Sequence, residues 1–195
     1  DRSLLANPVA LAKFGTKPHR AFRWRMSGPA CAGFSEALDW LSPGGEKLLE
    51  EVRTFILWKS VPGGRFMDLT VELKAAKGPV TLGDTKEGGL CSIRLNEPLQ
   101  EDAGGLITNS NGGRTEAECW GHRASWCDYS GTLEGRRVGI AILDHPRSFR
   151  HPTHWHVRAY GLFTANPFGL HDYLTGHPED GSYGMKKGES ITFRY

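Results

Sequence analysis

Between Asp144 and Gly169 the chain gathers four of its eight histidines (His145, His151, His154 and His156) with three prolines and three arginines. Within that stretch His154, His156, Arg158 and Tyr160 alternate with Trp155, Val157 and Ala159. A period of two sends these sets to opposite faces of a strand. One face packs on a core and the other presents two imidazoles, a guanidinium and a phenol. Such a face suits proton transfer beside a cation that steadies a developing oxyanion. His-x-His on a strand also suits a metal grip, with His145 or His151 as a third ligand. Against a metal stand Arg158, a cation on the same face, and the lack of an acidic residue along the strand. The expectation is therefore no metal and no cofactor.

Other segments add polar groups. The apolar run Val138–Leu143 delivers Asp144 and His145 at its tip, as an oriented imidazole requires, or as a capped turn before Pro146 requires. Asp84-Thr85-Lys86-Glu87-Gly88-Gly89 places opposite charges ahead of a glycine pair. It reads either as a plain turn or as Lys86 and Glu87 held over a cleft, with glycines letting a ligand approach the backbone. In Trp120-Gly121-His122-Arg123-Ala124-Ser125-Trp126, alternation puts Trp120, His122 and Trp126 on one face. Two indoles around an imidazole make a sugar-stacking platform or an ordinary core, with Trp126 the more buried of the pair. Asn166 and Phe168, in Asn-Pro-Phe-Gly, are placed to form a pocket rim.

The elements that must position these groups are short. Twenty-five glycines and eleven prolines in 195 residues imply many turns and many strands. Met67, Leu69, Val71 and Leu73 alternate with Asp68, Thr70, Glu72 and Lys74, as in an antiparallel strand with one wet side. Further strands are expected at Val80–Leu82, Leu90–Leu95, Cys119–Trp126, Val138–Leu143 and Ser190–Tyr195. Residues 48–58 fit a helical stripe too, but the β-branched and aromatic run Thr54–Trp58 favours a strand. The expected fold is an all-β antiparallel sandwich over residues 33–195, preceded by an irregular, basic arm at 1–32. Because the chain begins with Asp1 and ends in a strand-like run, part of the sandwich is expected to be missing at both ends.

A net charge of +2 without a run of five like charges argues against a nucleic-acid partner. No apolar stretch of 18 residues is present, and the amino terminus is not a signal peptide. Oligomeric state is not readable. Cys31, Cys91, Cys119 and Cys127 lack C-x-x-C spacing, so a structural zinc site is not expected. Cys119 and Cys127 can meet across a hairpin, but reduced, packed thiols are the expectation.

Together, Asp84–Gly88, Trp120–Trp126, and Asp144-His145-Pro146 leading through His151–Phe163 to Asn166–Gly169 resemble a family of uncharacterised bacterial proteins catalogued as "methane oxygenase PmoA". The resemblance spans about residues 33–195. The methane monooxygenase subunit of that name is a membrane protein and this chain shows no span, so the label carries no activity here. The resemblance implies a galactose-mutarotase-like supersandwich, a carbohydrate context and a periplasmic or extracellular location. Two departures are visible: an upstream segment rich in Asp-His-Pro-His-His is absent, and family members continue past Tyr195. His154 stands where a more variable residue is expected and is discounted.

The expected function is acid–base chemistry on a sugar of epimerase, lyase or hydrolase type. His156, Glu87, Arg158 and His145 are the catalytic candidates; Lys86, Trp120, His122, Asn166 and Phe168 contact substrate. The alternatives are a non-catalytic sugar-binding module using Trp120 and Phe168, and a metal-dependent oxidoreductase using His145, His154 and His156.

Overall fold

The computed structural model describes residues 12–195 except 175, 177 and 178. The chain is almost entirely antiparallel β and divides into two compact units. The first runs to Val80 and takes back Gly184–Thr192; the second holds Thr81–Tyr183 and Phe193–Tyr195.

The first unit is built on β1 (His19–Ser27), β2 (Cys31–Leu41), β3 (Lys47–Trp58) and β4 (Met67–Ala75), in the sheet order β1-β2-β3-β4-β13, where β13 is Ser190–Arg194. The alternation of β4 is realised: Leu69, Val71, Leu73 and Ala75 are buried while Asp68, Glu72 and Lys74 are exposed. Residues 47–58 form one strand, because β-branched and aromatic side chains fit a pleated ladder better than a helix. The expected irregular arm is corrected over His19–Ser27, a strand paired with β2. All nine of its residues are exposed, so no alternation marks it. Pairing with β2 supplies its order instead, together with the edge contact of Phe22 on Phe34 and the Arg25 guanidinium 3.7 Å above the Phe22 ring.

In the second unit β6 (Cys91–Arg94), β10 (His154–Val157) and β11 (Leu162–Asn166) form one sheet, ordered β10-β11-β6. The strands β7 (Leu106–Asn109), β8 (Trp126–Leu133) and β9 (Arg136–Leu143) form another. A two-stranded pair joins β5 (Val80–Leu82) and β12 (Tyr183–Met185). The two three-stranded sheets share one core, in which Ile107, Cys127, Tyr129 and Ile142 meet Trp155, Val157, Phe163 and Ala165. Tyr129 stitches them: its ring lies 4.8 Å from Phe163, and its hydroxyl donates toward the Leu162 carbonyl and accepts from Arg158 N–H. Sheet faces sheet across alternating inward residues, which is a sandwich.

One expected strand is absent. Thr115–Cys119 is a short helix, α1, and Trp120–Ser125 then turns, so β8 begins only at Trp126. Gly121 sits at φ +72°, a left-handed conformation that interrupts the ladder. The order of burial is also reversed, for Trp126 is 37% exposed at the strand start. The cysteines are free thiols, and Cys119 and Cys127 are fully buried. The neighbouring Cys119 thiol and burial push the Cys127 thiol far up.

Candidate functional site

The loop after β5 is the backbone of the site, and Asn166 at the end of β11 pins it. This fully buried amide places Nδ2 2.8 Å from both the Thr85 and Lys86 carbonyls and 3.0 Å from the Tyr173 hydroxyl. Its Oδ1 accepts from Phe168 N–H at 2.8 Å. Asn166 is therefore a clamp rather than a rim residue. On the same loop, Asp84 Oδ2 accepts N–H bonds from His171 and Gly181, and Lys86 Nζ lies 3.7 Å from Asp172 Oδ1. His171 and Asp172 belong to a short helix, α2 (Leu170–Tyr173).

His156, on β10, is 4% exposed and bonds through Nδ1 to the Lys86 carbonyl at 2.6 Å. A carbonyl only accepts, so Nδ1 carries a proton, and in the neutral tautomer this leaves the lone pair on Nε2. Two rings stand edge-on around this imidazole: Trp120 at 6.4 Å and Tyr173 at 6.4 Å, themselves 5.3 Å apart. Trp120 Nε1 is buried without a hydrogen-bond partner among the described residues, a cost that a ligand oxygen would remove. Gly121 follows it because a Cβ there would lie 3.2 Å from Tyr173. Burial pushes the Tyr173 phenol well above its ordinary value, so it stays a neutral donor.

His154 joins the group despite the discount placed on it. Its ring stacks on Tyr173 at 5.6 Å and 22°. Burial, aided by Arg123, His122 and Arg150, pushes its pKa down to about 4. The imidazole is neutral at physiological pH.

Of the catalytic candidates, the structure brings His156 and the loop of Glu87 together. Glu87 is exposed, its N–H bonded to Thr85 Oγ1, and its charge acts on Tyr173. Arg158 is placed elsewhere: β10 ends at Val157, and the guanidinium pairs with Glu116 at 3.0 Å. His145 is likewise separate, its Nδ1 accepting from Arg147 N–H and its own N–H bonded to the Arg194 carbonyl. It caps a turn. Phe168 is corrected as a stacking platform: it is 5% exposed and packs against Phe149 and Phe193, because Asn166 holds its N–H and turns the ring inward. His122 is exposed and its ring makes no hydrogen bond among the described residues, which leaves it available to a ligand. Among the described residues no group of three His, Cys, Asp or Glu side chains is placed to hold a metal ion.

Sequence reasoning missed Tyr173 and Asp172, which lie in a four-residue helix with no periodicity to reveal them. It also attached the wrong histidine to Asp144. The Asp144 carboxylate is buried, and its Oδ2 accepts from His151 Nδ1 at 2.8 Å and from Thr153 N–H at 2.9 Å. The proline-rich turn folds His151, not the adjacent His145, back onto it.

A family model matches residues 6–195, nearly the whole chain, and its description is a family of unknown function, DUF6807. The chain belongs to that family. An uncharacterised family was expected from the motifs, and this one is uncharacterised; its description does not bear on the methane-oxygenase label. No curated protein and no solved structure matches the chain. Among the described residues no helix is long and apolar enough to cross a membrane.

Proposed function

We propose that this DUF6807 member binds a carbohydrate at the His156 site and performs acid–base chemistry on it. The observation that carries the reading is the buried His156, locked by the Lys86 carbonyl with Nε2 as acceptor between the edges of Trp120 and Tyr173. An imidazole in this tautomer takes the proton of a sugar hydroxyl and returns it in a later step, and indole and phenol rings suit the C–H faces of a pyranose. Glu87 at the loop tip is the accompanying carboxylate, and the orphaned Trp120 Nε1 and the Tyr173 hydroxyl donate to sugar oxygens. Arg158 and His145 take no part. The reaction is of epimerase, lyase or hydrolase type. The same reading takes the sheets as a galactose-mutarotase-like supersandwich and the protein as periplasmic or extracellular, on the strength of the motif resemblance alone.

A non-catalytic sugar-binding module is the second reading, favoured by the placement of Arg158 on Glu116, away from the imidazole. Ligand-detected NMR with a panel of mono- and oligosaccharides, read for binding and for turnover, separates the two. Catalysis requires His156→Gln to abolish turnover while binding persists. The module requires Trp120→Ala to abolish binding, with no turnover in the parent protein. Failure of every sugar to bind would sink both.

A further inference from the structure

The rings of His154 and Tyr173 form one wall whose two ends carry opposite charge. Around Tyr173 lie Asp172, Glu87 and Asp84. Around His154 lie Arg123, His122 and Arg150, and among the described residues no carboxylate acts on it. Backbone geometry builds the basic end, since Arg123 and His154 face each other as an antiparallel bridge pair, which sets their side chains side by side.

The three basic groups differ in what is left over. Arg150 is spent on the carbonyls of Pro167, Gly181 and Ser182, with Asp84 and Asp180 nearby. Arg123 donates Nε to the Pro152 carbonyl at 2.7 Å and Nη2 to those of His151 and Arg150. Carbonyls satisfy N–H groups without neutralising charge. Among the described residues no carboxylate pairs with Arg123, Nη1 has no partner, and the side chain is exposed. Beside it His122 is exposed, and its ring makes no hydrogen bond among the described residues. Lys86, in contrast, is already paired with Asp172.

We propose that the Arg123–His122 end of this wall is a subsite for the carboxylate of an acidic saccharide, a uronate, whose hydroxyls lie toward Asp84, Glu87 and Asp172. The proposal rests on the carbohydrate reading above and narrows its substrate class. One uncompensated guanidinium beside two imidazoles matches a monoanion; a phosphate dianion calls for more charge than remains free. A neutral His154 adds a hydrogen-bonding edge without repelling Arg123, and the acidic end accepts hydroxyl protons while repelling a second anion.

Calorimetric titration of the whole chain with glucuronate and galacturonate, against glucose and galactose, tests this. At low salt the uronates bind about tenfold more tightly than the neutral sugars, the worth of one charge-assisted hydrogen bond. That advantage shrinks in 0.5 M NaCl as the exposed guanidinium is screened. Arg123→Met brings uronate affinity down to that of the neutral sugar. Because Arg123 also ties down the 150–152 carbonyls, His122→Gln, which touches no hydrogen bond, is the second variant and lowers the advantage about threefold. Equal binding of acidic and neutral sugars by the parent protein overturns the subsite and leaves the carbohydrate reading standing, as does an advantage unchanged in both variants. Binding of neither class overturns both.

Discussion

In the first unit Glu51 is fully buried among cations: Trp40 Nε1 donates to its Oε2 at 2.6 Å, and Lys17 stands 3.4 Å from the same oxygen. Arg53 lies 2.5 Å from Oε1, which is held by charge and, among the described residues, accepts no hydrogen bond. In the second unit Asp144 is buried to a similar degree, with one carboxylate oxygen bonded to His151 and Thr153 and the other without a partner. Asp39 repeats the first pattern: burial works to raise its pKa, but Lys47 and Arg20 outweigh it and hold the carboxyl below its ordinary value. Some of the arginines follow this pattern. Arg20 and Arg53 of the first unit pair with carboxylates, whereas in the second Arg123 and Arg150 face carbonyls and Arg158 pairs with Glu116. Closed charge networks hold a sheet together; open ones leave hydrogen-bonding capacity and uncompensated charge for a ligand.

Breaking the closed network has the largest expected effect. Glu51→Ala strands Arg53 and the Trp40 N–H, and urea unfolding is expected to show a loss of about 3–5 kcal/mol. A loss under about 1 kcal/mol would erase the contrast between the units. Next comes the clamp of the open site. Asn166→Ala orphans Phe168 N–H and takes one of two hydrogen bonds from each of the Thr85 and Lys86 carbonyls, and is expected to cost about 2–3 kcal/mol. Hydrogen exchange at Lys86 and Glu87 accelerates with it; unchanged protection there would mean that the loop is held by other contacts.

His154 sharpens the comparison through pH. Its pKa is about 4 folded and near 6.5 unfolded, so between these values the unfolded chain binds the extra proton. Stability from this group is therefore present above about pH 6.5 and lost as pH falls toward 4. His154→Gln is expected to flatten that limb by about 1–2 kcal/mol, after allowance for partial solvent screening. An unaltered limb would show that the imidazole is already solvated. The smallest effect belongs to the Lys86–Asp172 pair, half exposed and 3.7 Å long. Lys86→Met is expected to shift stability by less than about 0.5 kcal/mol in thermal melts, and a larger change would make this pair part of a closed network.

Much of the fold was legible because burial on one face writes itself into the sequence with period two. β4 reads directly, and so do Trp155 and Val157, both fully buried where alternation placed them. β1 was illegible because both its faces are exposed, and the Cys119–Trp126 segment misled because its alternation continues through a glycine with a left-handed φ. The site was legible in part. His156, Lys86, Glu87, Trp120 and His122 were named, while Tyr173 and Arg123 were not: Tyr173 lies in a four-residue helix without periodicity, and Arg123, though inside the Trp120–Trp126 segment, alternates onto the face opposite His122.

By itself the sequence determined that the protein is antiparallel β, which faces of its regular strands are apolar, and that chemistry-bearing residues crowd the stretch around β10. Those properties depend on near neighbours along the chain. Only the tertiary structure decided that His151 rather than His145 meets Asp144, that Arg158 turns to Glu116, and that Asn166 ties a loop 80 residues earlier in the chain to His156. Each is a choice of hydrogen-bond partner across a turn or between strands. Such choices depend on where a strand stops and which carbonyl is then left unpaired, quantities that exist only once the sheets have formed.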